Sequence, residues 1–135
     1  MKIFVDTSAW CALADVADKQ HTKAVDILGE INRQNNSLLT TDYIFDETLT
    51  LLRFKLGHSM AVKFGEYLLA SKVCQILEVD RKLRQRTWDI FVKYSDKKFS
   101  FTDCASFAVM DELNIKCAFS FDRHFKQYGF SVLSN

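Results

Sequence analysis

The most constraining feature of the sequence is a short, unbroken apolar run, residues 3–5, that stops at Asp6. A run without alternation is typical of a parallel strand covered on both faces. Thr7, Ser8 and an apolar turn follow at once, which predicts a helix directly after the strand. Asp6 would then lie at the carboxyl edge of a sheet, where open α/β folds form their ligand crevice. Asp is also a preferred helix N-cap residue, so both roles stay open for Asp6.

Strand and helix patterns alternate along the rest of the chain. Apolar stripes at helical spacing predict helices over residues 21–34, 42–56, 59–70, 81–94, 101–113 and 123–127. Short apolar runs predict strands over residues 38–40, 73–79, 117–121 and 131–133. This alternation predicts an α/β fold, a three-layer α/β/α sandwich with a mostly parallel sheet of roughly five strands. We expect the helices on either side of Gly57 to form a hairpin and the helix over 101–113, apolar on nearly every side, to be buried.

Length and composition restrict the class of protein. The chain has 135 residues, of which 48% are hydrophobic, so we expect one domain, residues 1–135, with its own core. No stretch approaches the roughly 18 apolar residues that a membrane span requires, and no membrane association is expected. Before Asp6 the chain has only Lys2 after Met1 and then an apolar run of three residues, too short for the apolar region of a signal peptide, which predicts a cytoplasmic location.

Neither the cysteines nor the histidines have the spacing of a zinc site. The cysteines are widely separated and lie in apolar contexts, which is typical of reduced core residues: Cys11, Cys74, Cys104 and Cys117. The three histidines share no motif. His124 stands two residues after an acid, Asp122, where it either touches a ligand or packs.

Glu47 is anomalous within its predicted helix. Successive helical residues turn by about 100°, which lines Glu47 up with the apolar Ile44, Leu51 and Phe54. Its neighbour Asp46 falls on a polar face instead. A carboxylate in an apolar row is costly unless it is paired, protonated or metal-bound. Glu47 is therefore a second candidate site residue, with a salt bridge to a basic residue at the helix edge as the alternative.

Two more acids stand at the starts of helices. Asp103 follows Ser100 in a Ser-x-x-Asp arrangement that resembles a capping box, so a structural role explains it as well as a site does. Asp122 follows a predicted strand, as Asp6 does, and it too can cap the next turn of helix. Capping does not require these acids to share an edge of the sheet, whereas a metal site does.

Four segments resemble the acidic motifs of PIN-domain ribonucleases. They read VDTSAW at 5–10, TDYIFDETL at 41–49, FSFTDCASFAVM at 99–110 and FSFDRHF at 119–125. The motifs occur in the family's order, span almost the whole chain and are closest to the single-domain type that includes the VapC toxins of toxin-antitoxin pairs. The resemblance implies a five-stranded parallel sheet with helices on both sides. It assigns the acidic cluster to Asp6, Glu47, Asp103 and Asp122, with Ser8 and Thr102 as polar supports.

The function that this resemblance implies is metal-dependent endoribonuclease activity, as the toxin of a toxin-antitoxin pair. Hard divalent ions bound by carboxylates stabilise charge during phosphodiester hydrolysis, so Mg²⁺ or Mn²⁺ is the expected cofactor. RNA would reach the acids through basic groups, for which the candidates are Arg123, Lys126, Arg81 and Arg84. A basic run on a helix is also typical of a solvated face.

Assembly is expected through the predicted hairpin. Its two helices carry more large apolar side chains than packing on one sheet face requires: Tyr43, Phe45, Phe64, Tyr67 and Leu68. We expect a homodimer there, or a surface covered by an antitoxin.

Two other functions remain as alternatives to a ribonuclease toxin: a PIN-fold module that binds RNA or protein without cleavage, and a stand-alone RNA-processing nuclease. A haloacid-dehalogenase-like phosphatase would need a second Asp where Ser8 stands, and a P-loop is missing.

Overall fold

The structure, a computed structural model, describes residues 1–134. Within that range five parallel strands form one sheet in the order β3-β2-β1-β4-β5. The strands are β1 (Lys2–Val5), β2 (Ser37–Thr41), β3 (Cys74–Leu77), β4 (Cys117–Phe119) and β5 (Ser131–Leu133). The helices are α1 (Thr7–Ala14), α2 (His21–Arg33), α3 (Asp42–Leu56), α4 (His58–Ala70), α5 (Arg81–Lys93), α6 (Phe101–Glu112) and α7 (His124–Tyr128). The predicted α/β/α class with a five-stranded parallel sheet is confirmed.

The apolar run at the start of the chain forms the central strand. Side chains of residues 3–5 point to alternating faces of the sheet, yet all three are buried. Phe4 pairs with Leu39 of β2 on one side and with Ala118 of β4 on the other. Because β1 is covered on both faces and flanked on both edges, its carboxyl end opens at the middle of the sheet edge.

The helix that is apolar on nearly every side is buried, as predicted. In α6, residues 103–110 are all buried. Phe107 stands at the centre of an aromatic cluster, with its ring centroid 5.0 Å from that of Phe99, 5.1 Å from Phe125 and 4.4 Å from Tyr128. Phe125 and Tyr128 belong to α7 and Phe99 precedes α6, so this cluster holds α7 against the middle of α6.

The predicted helical hairpin is also confirmed. Gly57 joins α3 to α4 with φ of 95°, a backbone conformation that L side chains rarely adopt. Gly65 of α4 lies so close to α3 that a Cβ there would come within 3.3 Å of Leu49 Cδ2. The two glycines therefore permit the turn and the close packing of the pair.

The apolar surface expected on the hairpin is smaller than predicted. Leu68 is buried, and the rings of Tyr43 and Phe64 pack against aromatic rings of α6 and α1. Only Tyr67 of the predicted set is strongly exposed, at 68%. The prediction was wrong for Leu68 because α4 packs on more than one neighbour. The apolar side chains that do face outward on the hairpin include Leu51, Phe54, Met60, Val62, Tyr67 and Leu69.

The strand β4 ends two residues earlier than predicted, at Phe119. Beyond it, the amide of Phe121 donates to Ser8 Oγ at 2.9 Å and the amide of Asp122 donates to Ser120 Oγ at 3.0 Å. Side-chain hydroxyls thus take the place of the backbone carbonyls that would accept these hydrogen bonds in a continued β-strand. The other predicted element ends differ by no more than two residues from the observed ones.

All four cysteines are free, as expected of a reduced chain. Cys74 and Cys104 are buried, whereas Cys11 and Cys117 are only partly buried. The prediction of a core location was therefore wrong for Cys11 and Cys117. Among residues 1–134, every helix is too short or too polar to cross a membrane.

Replacing Phe107 by Ala should lower the free energy of unfolding by about 3–5 kcal/mol, because it leaves a cavity inside the aromatic cluster. Urea titration followed by circular dichroism measures the change. Val16→Ala, at a side chain that is 81% exposed, is the control and should change stability by less than about 0.5 kcal/mol. Equal effects in the two variants would contradict the central place of Phe107 in the core.

Candidate active site

The four acids singled out by sequence line one open cavity of 540 Å³. Asp6 follows β1, Asp122 lies between β4 and α7, Asp103 belongs to the first turn of α6, and Glu47 lies on α3. The ends of β1 and β4 are neighbours in the parallel sheet, which places the cavity at its carboxyl edge. A phosphate group and its neighbours fit a space of this size.

The side chain of Asp6 lines the cavity and does not cap α1. It makes no cap hydrogen bond to that helix, although the residue occupies the N-cap position. Instead, Asp6 Oδ2 accepts hydrogen bonds from Ser8 Oγ at 2.8 Å and from Ser120 Oγ at 2.9 Å. Burial raises the pKa of Asp6 from 3.8 to about 6; the two hydroxyls oppose that rise, and the charges of Asp103 and Asp122 add to it.

Asp103 combines the two roles that its sequence context left open. It forms a full capping box with Ser100: Asp103 Oδ2 accepts from the Ser100 amide at 3.0 Å, and Ser100 Oγ accepts from the Asp103 amide at 2.9 Å. The same Oδ2 lies 2.8 Å from Nδ1 of His124 and faces the cavity. The capping box therefore orients a carboxylate that also lines the cavity.

His124 joins two of the acids. Its Nδ1 lies 2.8 Å from Asp103 Oδ2 and 3.3 Å from Asp122 Oδ1. One potential ligand atom from each of these three residues falls within 4.8 Å of the others, so the group could hold a metal ion. Among residues 1–134, Asp6 and Glu47 do not belong to this tight group, although they line the same cavity.

Glu47 lies beside the buried face of α3 and not within it. Leu51 and Phe54, which were predicted to share its apolar row, are 48% and 83% exposed. The prediction of a buried row through Glu47 is therefore wrong. Because α3 packs against α1 and α4 as well as the sheet, its buried face is rotated around the helix axis relative to the predicted one. The buried residues are Ile44, Thr48 and Leu52.

The alternative explanation for Glu47, a salt bridge at the helix edge, does not apply either. Within the described chain Glu47 pairs with no Lys or Arg; its Oε1 accepts a hydrogen bond from Thr7 Oγ1 at 2.6 Å. Thr7 opens α1 directly after Asp6. This hydrogen bond turns the Glu47 carboxylate towards the end of β1 and into the cavity.

The cavity carries more negative than positive charge: five carboxylates line it, and its basic lining residues are Lys19, Lys98 and His124. Over residues 1–134, none of the four acids forms an ion pair with a Lys or Arg, and His124 is their basic partner. Carboxylates this close repel one another, and the raised pKa of Asp6 reflects in part that repulsion. Carboxylate oxygens in an open crevice are the donors that Mg²⁺ and Mn²⁺ prefer, so the residues present fit a hard divalent ion.

The polar supports are partly those predicted. Ser8 donates to Asp6, as its position suggested. Thr102 does not line the cavity, and its backbone carbonyl accepts a bond from Ser106. Ser120 takes the supporting role and had been missed. Its signal was present in the sequence, since a Ser two residues before Asp122 mirrors the Ser two residues after Asp6.

The connection between α1 and α2 also reaches the cavity, which sequence reasoning missed. Asp18, Lys19 and Gln20 line it. The connection is held by the buried Asp15, whose Oδ1 accepts from the Ala17 amide at 2.9 Å and whose Oδ2 lies 3.2 Å from Lys55 Nζ. No sequence motif marks this segment, because its approach to the cavity depends on how α1 and α2 pack.

The four basic candidates separate into two groups. Arg123 and Lys126 line a second cavity that adjoins the acidic one. Arg81 and Arg84 lie on α5 and line neither, and the guanidinium of Arg84 donates to the carbonyl of Val79 at 3.3 Å. The structure thus brings one pair of basic residues to the site and leaves the other pair away from it.

A cysteine nucleophile is not supported. Cys11 lines the acidic cavity, but burial raises the pKa of its thiol to about 11. The thiol therefore stays protonated near neutral pH, where the thiolate would be the reactive form.

Replacing Asp6 by Asn should stabilise the metal-free protein at neutral pH. The folded-state pKa of Asp6 lies above 3.8, so ionisation destabilises the folded state, fully so above about pH 6 and not at all below pH 3.8. Asp6→Asn should raise the free energy of unfolding by up to about 3 kcal/mol at pH 8, and the gain should vanish near pH 4. Urea titrations in chelator at both pH values measure this. A loss of stability at pH 8 would show that the Asp6 carboxylate is structural.

Comparison with known proteins supports the resemblance in the four motifs. The PIN-domain family model matches residues 3–131. The 23S rRNA-specific endonuclease VapC20 of Mycobacterium tuberculosis is 34% identical over 128 residues, 95% of each chain. A VapC ribonuclease of Archaeoglobus fulgidus is 32% identical over 127 residues, which cover 93% of this chain and 80% of the relative.

Solved structures agree with this placement. The crystal structure of M. tuberculosis VapC20, described as a sarcin-ricin loop cleaving toxin, has a TM-score of 0.88 and 33% identity over 95% of both chains. A chain from the crystal structure of Rickettsia felis VapBC2 bound to a promoter DNA fragment has a TM-score of 0.73 at 10% identity over 98% and 97% of the chains, a likeness of fold alone. The chain belongs to the PIN-domain family, as a VapC-like endoribonuclease toxin.

Proposed function

We propose that the protein hydrolyses RNA phosphodiester bonds with Mg²⁺ or Mn²⁺ held by the acidic cavity, and that residues 1–135 form a single nuclease domain. The observation that carries this proposal is the convergence of Asp6, Glu47, Asp103 and Asp122 without any Lys or Arg pairing within residues 1–134. A module that merely bound RNA or protein would have no use for four unneutralised carboxylates facing a polyanion. This favours cleavage over the non-catalytic alternative.

The chain's own residues prepare the cavity for that chemistry. A divalent ion bound there supplies positive charge beside the phosphate and lowers the pKa of a bound water. Asp103 and Asp122 are the proposed direct ligands, with Asp6 and Glu47 completing the negative wall. Hydroxyl groups hold these carboxylates before the substrate arrives, which reduces the reorganisation needed during the reaction: Ser8 and Ser120 at Asp6, and Thr7 at Glu47.

The proposed substrate is a loop or single-stranded segment of RNA, because an open crevice at the sheet edge admits an unpaired strand. The M. tuberculosis relative is named as a 23S rRNA-specific endonuclease, which makes ribosomal RNA the first substrate to test here. Membership of the VapC-like type also supports a cognate antitoxin and a cytoplasmic site of action. A small DNA-binding protein encoded beside this chain would support the toxin role over a stand-alone nuclease.

The assay compares wild type with Asp6→Asn, Glu47→Gln, Asp103→Asn and Asp122→Asn on ribosomal RNA in Mg²⁺, in Mn²⁺ and in chelator. Wild type should cleave only with metal. Asp103→Asn and Asp122→Asn remove proposed ligands and should lower activity by at least about a hundredfold. Asp6→Asn and Glu47→Gln remove negative charge beside those ligands and should lower it about 10- to 100-fold. Gel analysis of the cleavage products measures the rates.

The matched control is Asp46→Asn, at an exposed carboxylate next to Glu47 that does not line the cavity. It removes the same charge from α3 and should retain wild-type activity. Cleavage that persists in chelator, or in all four cavity variants, would show that these acids are structural and that the proposed mechanism is wrong.

We also propose a homodimer through the outward-facing side of α3 and α4. The exposed Tyr67 and Leu69 of α4 and Phe54 of α3 give this hairpin an apolar surface of the kind that marks interfaces. Sedimentation velocity should show a dimer for wild type and a shift towards monomer for Tyr67→Lys/Leu69→Lys. A wild-type monomer at high concentration would contradict the proposed interface.

A further inference from the structure

A second cavity, of 620 Å³, adjoins the acidic cavity and has the opposite charge. Its basic lining residues are Lys23 at the start of α2, Arg123 before α7 and Lys126 on α7. Among the described residues that line it, the single acid is Asp122. Three residues belong to the walls of both cavities, which makes them neighbouring parts of one trough along the sheet edge: Gln20, Phe121 and Asp122.

The basic side chains of this second cavity are not neutralised by the protein. Lys23, Arg123 and Lys126 are exposed and form no ion pair within the described range. On α5, Lys82 and Arg86 both pair with Glu112, whereas Arg81 and Arg84 form no ion pair within the described range but line neither cavity. Unpaired cations keep their full attraction for a polyanion, and those of the second cavity lie directly beside the acidic one.

The second cavity also offers aromatic surface beside its cations. Phe121 and Phe130 line it and are half-buried, so their rings are held in place yet remain accessible. Basic groups that follow a backbone, together with aromatic rings on which bases stack, are what single-stranded nucleic acid requires. The acidic cavity alone would repel the phosphates on both sides of the cleaved bond, and the basic cavity removes that repulsion on one side.

We propose that the second cavity is a binding subsite for the nucleotides that flank the cleaved bond on one side, with Lys23, Arg123 and Lys126 contacting their phosphates. This proposal rests on the ribonuclease function proposed above. It adds Lys23, on a helix outside the four acidic motifs, to the groups that bind RNA. It also assigns the α5 arginines no part in substrate binding.

The test measures how salt affects binding of a fluorescein-labelled single-stranded RNA of about 12 nucleotides, a length that spans both cavities. Binding is followed by fluorescence anisotropy in chelator over a range of KCl concentrations, for wild type and Lys23→Ala/Lys126→Ala. Loss of two phosphate contacts should weaken binding about tenfold or more and reduce the slope of log K against log [KCl] by about 1.4. Thermal melting confirms that both proteins are folded.

The matched control is Lys63→Ala/Lys72→Ala, which removes the same charge at two exposed lysines that line neither cavity. Its salt slope should equal that of wild type. Equal slopes for the two double variants would overturn the subsite. If wild type still cleaves RNA with metal in that case, the proposed function stands without the subsite. If the slopes differ as expected but no RNA is cleaved, the second cavity binds RNA but is not a subsite for cleavage, and the proposed function fails.

Discussion

The structure depends on one costly placement, the carboxylate of Asp6 at the end of the central strand. Burial and neighbouring acids raise its pKa to about 6, so near neutral pH an ionised group is held where water cannot fully solvate it. Hydrogen bonds donated by the hydroxyls of Ser8 and Ser120 offset part of the free-energy cost of burying that charge. The remaining cost destabilises the folded state, and a divalent cation at the proposed site would offset it.

The same hydroxyl groups also explain how the cavity is kept in shape. Ser8 follows β1 and Ser120 follows β4, and both donate to one oxygen of Asp6 while accepting from backbone amides of the segment after β4. The two strand ends are thereby tied across a carboxylate. On the other side, the capping box of α6 orients Asp103, and the aromatic cluster around Phe107 holds α7, which begins at His124. The acids that line the cavity and the groups that hold them thus come from several elements that meet at one edge of the sheet: the ends of β1 and β4, and α1, α3, α6 and α7.

The carboxyl edge of the sheet carries two adjoining cavities of opposite charge. In the proposed function the acidic cavity would accept a phosphate only with a cation bound, whereas the basic residues of the second cavity attract phosphates directly. Asp122 lies in the wall of both cavities. An RNA strand bound across this boundary would place one phosphate beside the acids proposed to bind metal and the next among unpaired cations. Because the two cavities attract an RNA strand unequally, the trough would favour one orientation of the bound strand over the other.

The sequence alone determined the elements, their order and the identity of the four acids, since apolar periodicity, strand-end carboxylates and motif order are local properties of the chain. The tertiary structure decided the rest. The burial of α3 depends on α1 and α4, so the apolar row assigned to Glu47 was wrong, while its place in the cavity followed from its bond to Thr7. Ser120 bonds to Asp6 across 114 residues of chain, and His124 contacts Asp103 across 21 residues. Lys23 forms no ion pair in the described range and reaches the second cavity only through the position of α2. The spacing of residues in the sequence does not specify such contacts between distant elements. Local periodicity specifies which residues form an element, but contacts between elements specify which side chains meet.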